Sequence, residues 1–299
     1  MGNTPLVRIR RVGAELRGVR IFAKLEYFNP GGSVKDRAAR QMLLDGLASG
    51  ALAPGATVID STSGNTGVAY AWLGAALGLK VALVMPPNVS AARKQIIQAY
   101  GAELIYSDPL EGSDGAIRTV RARVAESPGR YFYPDQYSNA SNPKAHAQTT
   151  APEIWAQTGG QVTHFVCGIG TGGTVMGTAQ GLKALRPEIR AIAVEPAEAM
   201  HGLEGLKHMP SSIVPAIYRE EALDEKISVP TDEGWDMAER LLKDEGLLVG
   251  HSAGAAMVGA VRVAERLALR GEEGVVVTVF PDRADRYFEA RRWERTFRW

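Results

Sequence analysis

In the run Asn29-Pro30-Gly31-Gly32-Ser33-Val34-Lys35-Asp36-Arg37 a flexible turn delivers a single lysine to the start of a helix. Pro30, Gly31 and Gly32 break the preceding apolar run, and Ser33 can cap a helix through Asp36, Arg37, Ala38, Ala39 and Met42. Lys35 then falls in the first turn, where free N–H groups and the positive end of the helix dipole disfavour a further cation. That place suits a lysine acting as a neutral amine, or as an imine with a carbonyl. An ordinary surface lysine after a glycine-rich turn is the alternative.

Two further loops have the composition of ligand cradles. Ser63-Gly64-Asn65-Thr66-Gly67, preceded by Thr62, brings hydroxyls, an amide and N–H groups to a helix N-terminus, which suits a carboxylate. A helix cap is the competing explanation, but a cap needs one polar residue and this loop has several. Gly168-Ile169-Gly170-Thr171-Gly172-Gly173-Thr174 follows a strand and opens a helix, so it suits phosphate. Gly168, Gly170 and Gly173 also satisfy G-x-G-x-x-G, and Glu195 ends the next strand, which makes a nicotinamide dinucleotide site the rival. Gly250-His251-Ser252-Ala253-Gly254 starts another helix, with Ser252 as either its cap or a hydroxyl aimed at a ligand. His146, His164, His201, His208 and His251 lack metal-ligand spacing, so no metal site is expected, and no G-x-S-x-G nucleophile elbow occurs.

These loops sit at the junctions of an α/β alternation. A strand-like run from Ile21 to Glu26 precedes the lysine turn and a helix to about Leu47. Thr57–Asp60 reads as a buried strand and the Ala-rich stretch through Ala75 as a helix. Strands at 80–85 and 103–106 then alternate with helices at 90–100 and 115–125. The polar segment 134–143 marks a domain boundary. Beyond it come a helix at 151–156, a strand at 164–167, a helix to about Leu185 and a strand at 191–195. Residues 197–222 read as a long loop near a site or a surface excursion. Helices at 234–243 and 253–269 and a strand at 275–280 complete the pattern. Strands alternating with helices imply mostly parallel, open twisted sheets with helices on both faces.

With 299 residues, 45% hydrophobic and 22% charged, the chain has the composition of a soluble protein and the size for two domains. Its 34 basic and 33 acidic residues leave a net charge of +1, which gives no field for nucleic acid or anionic lipid. A small-molecule partner is expected. The start Met1-Gly2-Asn3-Thr4-Pro5-Leu6 has no secretion-signal pattern and no apolar run reaches membrane-spanning length, so a cytoplasmic location is expected. The single cysteine, Cys167, reads as a buried small hydrophobe. In the tail, Arg283, Arg286, Arg291, Arg292, Arg295 and Arg298 interleave with Asp282, Asp285, Glu289 and Glu294 as a mixed-charge helix face, and Trp293 and Phe297 could pack on a neighbouring subunit.

Taken together, Asn29–Arg37, Thr62–Gly67, Gly170–Thr174 and Gly250–Gly254 resemble the cysteine synthase, or O-acetylserine sulfhydrylase, family of pyridoxal-phosphate enzymes. Asn3-Thr4-Pro5-Leu6, Pro86, Tyr100-Gly101-Ala102-Glu103, Gln136 and Pro152-Glu153-Ile154-Trp155 fit as well, and Asp282-Arg283-Ala284-Asp285-Arg286-Tyr287 is most like the cysteine synthase B type. The resemblance implies pyridoxal-phosphate fold type II, similar to the tryptophan synthase β-subunit. It assigns 36–139 to a smaller, mobile N-terminal α/β domain, and 1–35 with 140–299 to a larger α/β domain. It also implies that Lys35 forms the Schiff base with the cofactor, that Asn65 bonds its phenolic oxygen, that Gly170, Thr171, Gly172, Gly173 and Thr174 hold its phosphate, and that Ser252 meets its pyridine nitrogen. Thr62, Ser63, Gly64, Thr66 and Gln136 would hold the α-carboxylate of the substrate. The implied reaction is β-replacement, making L-cysteine from O-acetyl-L-serine and sulfide in a homodimer. Alternatives are O-phosphoserine as substrate, with Lys207 or Arg219 as the cation, another sulfur donor, or a cystathionine β-synthase or β-elimination relative. Outside the class stand a nicotinamide-dependent oxidoreductase and a silent binding protein. Two departures from the family pattern are His251, where a small or aliphatic residue is more usual, and an N-terminal arm expected to be short or missing.

Overall fold

The computed structural model describes residues 1–62, 64–87, 89 and 91–288. The chain divides into two compact units. One comprises Met1–Val34 with Pro143–Asp285, the other Lys35–Asn142 with the described residues after Asp285. Ser63, Ser90, at which a helix was expected to start, and the tail residues Glu289, Arg291, Arg292, Trp293, Glu294, Arg295, Phe297 and Arg298 lie outside the described residues.

In the first unit the strands Leu6–Ile9, Val19–Leu25, Gly274–Phe280, His164–Gly168, Arg190–Pro196 and Glu225–Val229 lie side by side in that order. Leu6–Ile9 pairs antiparallel, with Leu6 opposite Lys24, and the remaining pairs are parallel. Val275, Val277, Val279, Phe165 and Cys167 pack with Ile154 and Leu182, from the helices Ala151–Gln157 and Gly173–Leu185. Val276, Phe280 and Val166 face the other way and pack with Leu241 and Met257, from the helices Thr231–Glu245 and His251–Leu269. Successive strand residues point to opposite faces, so a strand covered on both must be apolar throughout, as 275–280 is. Cys167 is buried, as expected of a small hydrophobe.

The second unit holds four parallel strands in the order Glu103–Tyr106, Lys80–Met85, Thr57–Ser61, Tyr131–Phe132. Val58, Leu83 and Met85 pack with Met42, Leu43, Val68, Leu73 and Ile97, from the helices Lys35–Ala48, Asn65–Leu77 and Ala91–Ala99. Ile59, Ala82 and Val84 meet Ala116 and Val120 of the helix Gly112–Glu126 on the opposite face. Both sheets therefore have the α/β arrangement that the alternation predicts, and each presents the carboxyl ends of parallel strands to the loops that begin its helices, the usual place for a ligand.

The strands Leu6–Ile9, Tyr131–Phe132 and Glu225–Val229 were not anticipated. Each is a sheet edge, and edges are short, so they carry little periodicity. The helix expected from Ala151 is preceded by a helix at Ser141–Ala145 and a π-helical turn at His146–Thr150. Pro152 has no N–H for the carbonyl of Gln148, and the turn before it widens so that the Ala151 N–H donates to the carbonyl of His146. Among the described residues no helix is long and apolar enough to cross a membrane.

Candidate active site

In the first unit the strand His164–Gly168 runs into Ile169, whose N–H donates to the Val194 carbonyl at 2.8 Å, and the helix Gly173–Leu185 begins shortly after. The turn between them is folded against residues 205–218. A Cβ on Gly170 would lie 2.3 Å from the carbonyl oxygen of Gly205, and one on Gly168 2.7 Å from Leu206 Cδ2. Gly172 has φ +88°, with Tyr218 Cβ 3.1 Å from where its own Cβ would be. The Lys207 N–H donates to the Ile169 carbonyl at 2.8 Å. The long segment of weak periodicity is thus the wall that shapes this loop. Side chains cannot enter such a turn, so main-chain N–H groups at a helix N-terminus are what it offers, and these bind anions.

Thr171 Oγ accepts from the Gly173 N–H at 3.2 Å, and Thr174 Oγ lies 3.3 Å from His146 Nε2. The other nitrogen of His146, Nδ1, lies 2.9 Å from Thr150 Oγ across the π turn. Sequence reasoning passed over His146 because it lacked metal spacing; its position four residues before Thr150 was the available signal. Ser252 is buried at the second position of the helix His251–Leu269. His251 stacks on Trp235, with ring centroids 4.1 Å apart and planes 9° apart, which accounts for an aromatic residue at that place. Glu195, the acid that a nicotinamide ribose would require, is buried, with one oxygen 3.2 Å from Lys226 Nζ and the other accepting from the Met209 N–H at 3.2 Å. Its partners make it a brace for the 205–218 wall.

In the second unit Lys35 is the first residue of the helix Lys35–Ala48 and is half-buried, as the turn-to-helix reading requires. Thr62 Oγ accepts from the Gly64 and Gly67 N–H groups at 3.2 and 3.0 Å, which closes the turn and leaves its own proton to donate elsewhere. Thr66 Oγ donates to Gln136 Oε1 at 2.9 Å, and Gln136 Nε2 donates to the Ser61 carbonyl at 2.9 Å. Three of the expected carboxylate ligands, Thr62, Thr66 and Gln136, therefore belong to one small hydrogen-bonded assembly, with Gly64 inside its turn. Ser63 lies outside the described residues. Asn65 Oδ1 accepts from Arg286 Nη1 at 2.6 Å, so its Nδ2 is the half of the amide that can donate to an oxygen acceptor. From sequence, Arg286 was read as part of a mixed-charge run and of the Asp282–Tyr287 resemblance, with no role at Asn65.

Asp60, which directly precedes this loop, was also missed. Its carboxylate is fully buried and accepts from Tyr70 Oη at 2.9 Å and from the Ser61 N–H at 2.8 Å. Burial raises its pKa to about 7, helped by the charge of Asp135 and opposed by the Tyr70 hydroxyl and the Ser61 and Gln136 N–H groups. A carboxyl whose folded pKa lies above its unfolded value stabilises the fold below the unfolded value, and that contribution is lost as pH rises through about 7. Asp60→Asn keeps an acceptor for the Ser61 N–H and turns an amide N–H toward the Tyr70 oxygen, without the charge. Its melting temperature relative to wild type is therefore expected to rise between pH 5 and pH 8, by the equivalent of roughly 2–4 kcal/mol. A gap independent of pH would show that Asp60 does not titrate in this window.

The chemistry of these residues fits pyridoxal phosphate. A glycine turn and a helix N-terminus match its phosphate, a buried hydroxyl its ring nitrogen, an amide N–H its phenolic oxygen and a half-buried lysine its carbonyl. The family model described as "Pyridoxal-phosphate dependent enzyme" matches residues 1–282. A cysteine synthase of Aquifex aeolicus is 54% identical over 289 residues, covering 96% of this chain and 88% of the relative. A cysteine synthase B of Pseudomonas aeruginosa is 40% identical, covering 97% and 94%. The crystal structure of a cysteine synthase from Entamoeba histolytica superposes with a TM-score of 0.93 at 38% identity, covering 98% of this chain and 89% of that one. With a glycine loop, lysine turn and polar strand-end loop in place, and a match across nearly its whole length, the chain belongs to the cysteine synthase family of pyridoxal-phosphate-dependent enzymes.

Proposed function

We propose that the protein makes L-cysteine by β-replacement on O-acetyl-L-serine with sulfide. The observation that carries this reading is the clustering of Thr62, Thr66 and Gln136 at the end of the strand Thr57–Ser61, a polar group of the kind that binds a carboxylate, on the loop that also carries Asn65. Bound pyridoxal phosphate supplies a carbonyl for an amino group and a ring that delocalises charge from Cα. Lys35 would be its covalent anchor, Gly170, Thr171, Gly172, Gly173 and Thr174 would hold its phosphate, Asn65 Nδ2 would donate to its phenolic oxygen and Ser252 would meet its ring nitrogen. Thr62, Ser63, Gly64, Thr66 and Gln136 hold the α-carboxylate of the substrate. Lys35 Nζ would take the α-proton of the substrate. The Cβ–O bond breaks with its electron pair leaving on acetate, sulfide forms the new Cβ–S bond, and Lys35 returns the proton to Cα. The Ser252 hydroxyl, unlike a carboxylate, would not keep the ring nitrogen protonated, so the ring would draw less charge from Cα, which favours prompt loss of the β-substituent.

The proposal extends to a cytoplasmic homodimer in which residues 36–139 form the domain that responds to the substrate carboxylate. Assaying O-acetylserine, O-phosphoserine and serine side by side with sulfide tests it. Cysteine is expected from O-acetylserine at a kcat/KM at least about tenfold above the other two, a difference of roughly 1.4 kcal/mol in transition-state binding. Preference for O-phosphoserine would move the substrate assignment, and cysteine from none of the three would overturn the reading.

A further inference from the structure

The mechanism above uses the carboxylate loop but leaves unexplained what holds it at the strand end. Thr66 reaches Gln136, and Gln136 reaches back to the Ser61 carbonyl. The other side of that same residue, the Ser61 N–H, ends on Asp60 Oδ1, and Asp60 Oδ2 accepts from Tyr70 on the helix that the loop begins. The Gln136 N–H also acts on the Asp60 carboxylate. The backbone at Asp135 is held at φ +47°, a conformation that most residues avoid, so Gln136 is aimed by a strained neighbour and needs a fixed counterpart. Asp60 is 0% exposed, Gln136 4% and Thr66 5%, so solvent cannot substitute for a lost partner.

We propose that Asp60 is a positioning residue for substrate capture. As an acceptor it ties the strand end, the helix carrying Thr66 and the segment carrying Gln136 into one rigid frame, and the carboxylate ligands keep their spacing because of it. This rests on the assignment of Thr62, Thr66 and Gln136 to the substrate carboxylate. The groups facing Asp60 are Tyr70 from the helix Asn65–Leu77 and Asp135 from the segment before Gln136. Tyr133 and Tyr137 from that same segment also feel its charge, Tyr133 together with Arg121 and Tyr137 together with Asp114, both from the helix Gly112–Glu126.

The role separates from general stability because it acts on the amino acid and not on the cofactor. Holoenzyme is titrated with O-acetylserine without sulfide and followed by the change in visible absorption, apoprotein is titrated with pyridoxal phosphate, and KM and kcat are measured with sulfide. In Asp60→Ala the amino-acid dissociation constant and KM are expected to rise about tenfold, with cofactor affinity and kcat within about threefold of wild type. Asp60→Asn, which keeps an acceptor for the Ser61 N–H, is expected to restore binding to within about twofold. Tyr70→Phe, which leaves the Ser61 contact and is the variant to use if Asp60→Ala does not fold, is expected to show a smaller rise in KM of about threefold. Equal loss of cofactor and amino-acid affinity in Asp60→Ala, or no rescue by asparagine, would overturn the positioning role. So would a Tyr70→Phe protein with unchanged KM where Asp60→Ala does not fold. If wild type itself gives no response to O-acetylserine, the carboxylate assignment fails. If wild type responds and the Asp60 variants match it, only the positioning role fails.

Discussion

Lys35→Ala is expected to abolish cysteine formation, a loss on the order of 10³-fold or more, and to remove the visible absorption of covalently held cofactor while the protein still folds. Both losses follow from the loss of a single amine that serves as covalent anchor and as proton carrier. The fold should survive because of where the lysine stands. It is the first residue of the helix Lys35–Ala48, where a cation opposes the helix dipole, and the helix is tethered by its neighbours. Asp36 Oδ1 accepts from Trp72 Nε1 at 3.2 Å, and Ala38, Ala39, Met42 and Leu43 are buried in the core of the second unit. Alanine is also a better helix former than lysine by a few tenths of a kcal/mol. Melting within a few degrees of wild type, together with complete loss of activity and of the absorption band, is the expected outcome. Residual turnover above about 1% of wild type would mean that another group moves the α-proton.

The stretches whose chemistry was readable from sequence are those where a short local pattern does the work. Lys35, the loop 62–67 and the loop 170–174 each depend on the order of strand, small or polar residues, and helix, and the structure has each at such a junction. What stayed hidden depends on partners distant in the chain. Nothing near Gly170 announces that Gly205 will lie against it, and residues 197–222 look featureless because their task is to follow the contour of another loop. Asp60 reads as the polar end of a strand, and its importance emerges only when Tyr70 and the Gln136 N–H close around it. Arg286 belongs to a run that looks like a solvated charged face, yet its guanidinium sits on Asn65, 221 positions earlier. The rival dinucleotide reading arose for the same reason: the glycine spacing is shared by two phosphate-binding designs, and the burial of Glu195 against Lys226 and Met209 leaves no acid for a nicotinamide ribose.

Gly170→Ala tests whether that distant packing sets cofactor affinity. Its added methyl would fall 2.3 Å from the Gly205 carbonyl oxygen, a main-chain atom that cannot turn aside as a side chain could. Either the loop 170–174 lifts or the 205–218 wall retreats, and the N–H groups lose their common focus in both cases. Overpacking against backbone is expected to cost about 2–3 kcal/mol of stability and, through the displaced N–H groups, at least about 100-fold in cofactor affinity. Gly246→Ala provides the comparison. Gly246 has φ +68° at the end of the helix Thr231–Glu245, with open space around it, so alanine there should cost about 1 kcal/mol through its backbone alone. Cofactor affinity should then be unchanged. The two variants thus separate instability from loss of the cradle: titrating each apoprotein with pyridoxal phosphate should give weak binding only for Gly170→Ala. Equal affinity in the two would show that the phosphate is held by side chains and the helix dipole, with the close approach of Gly205 serving the fold alone.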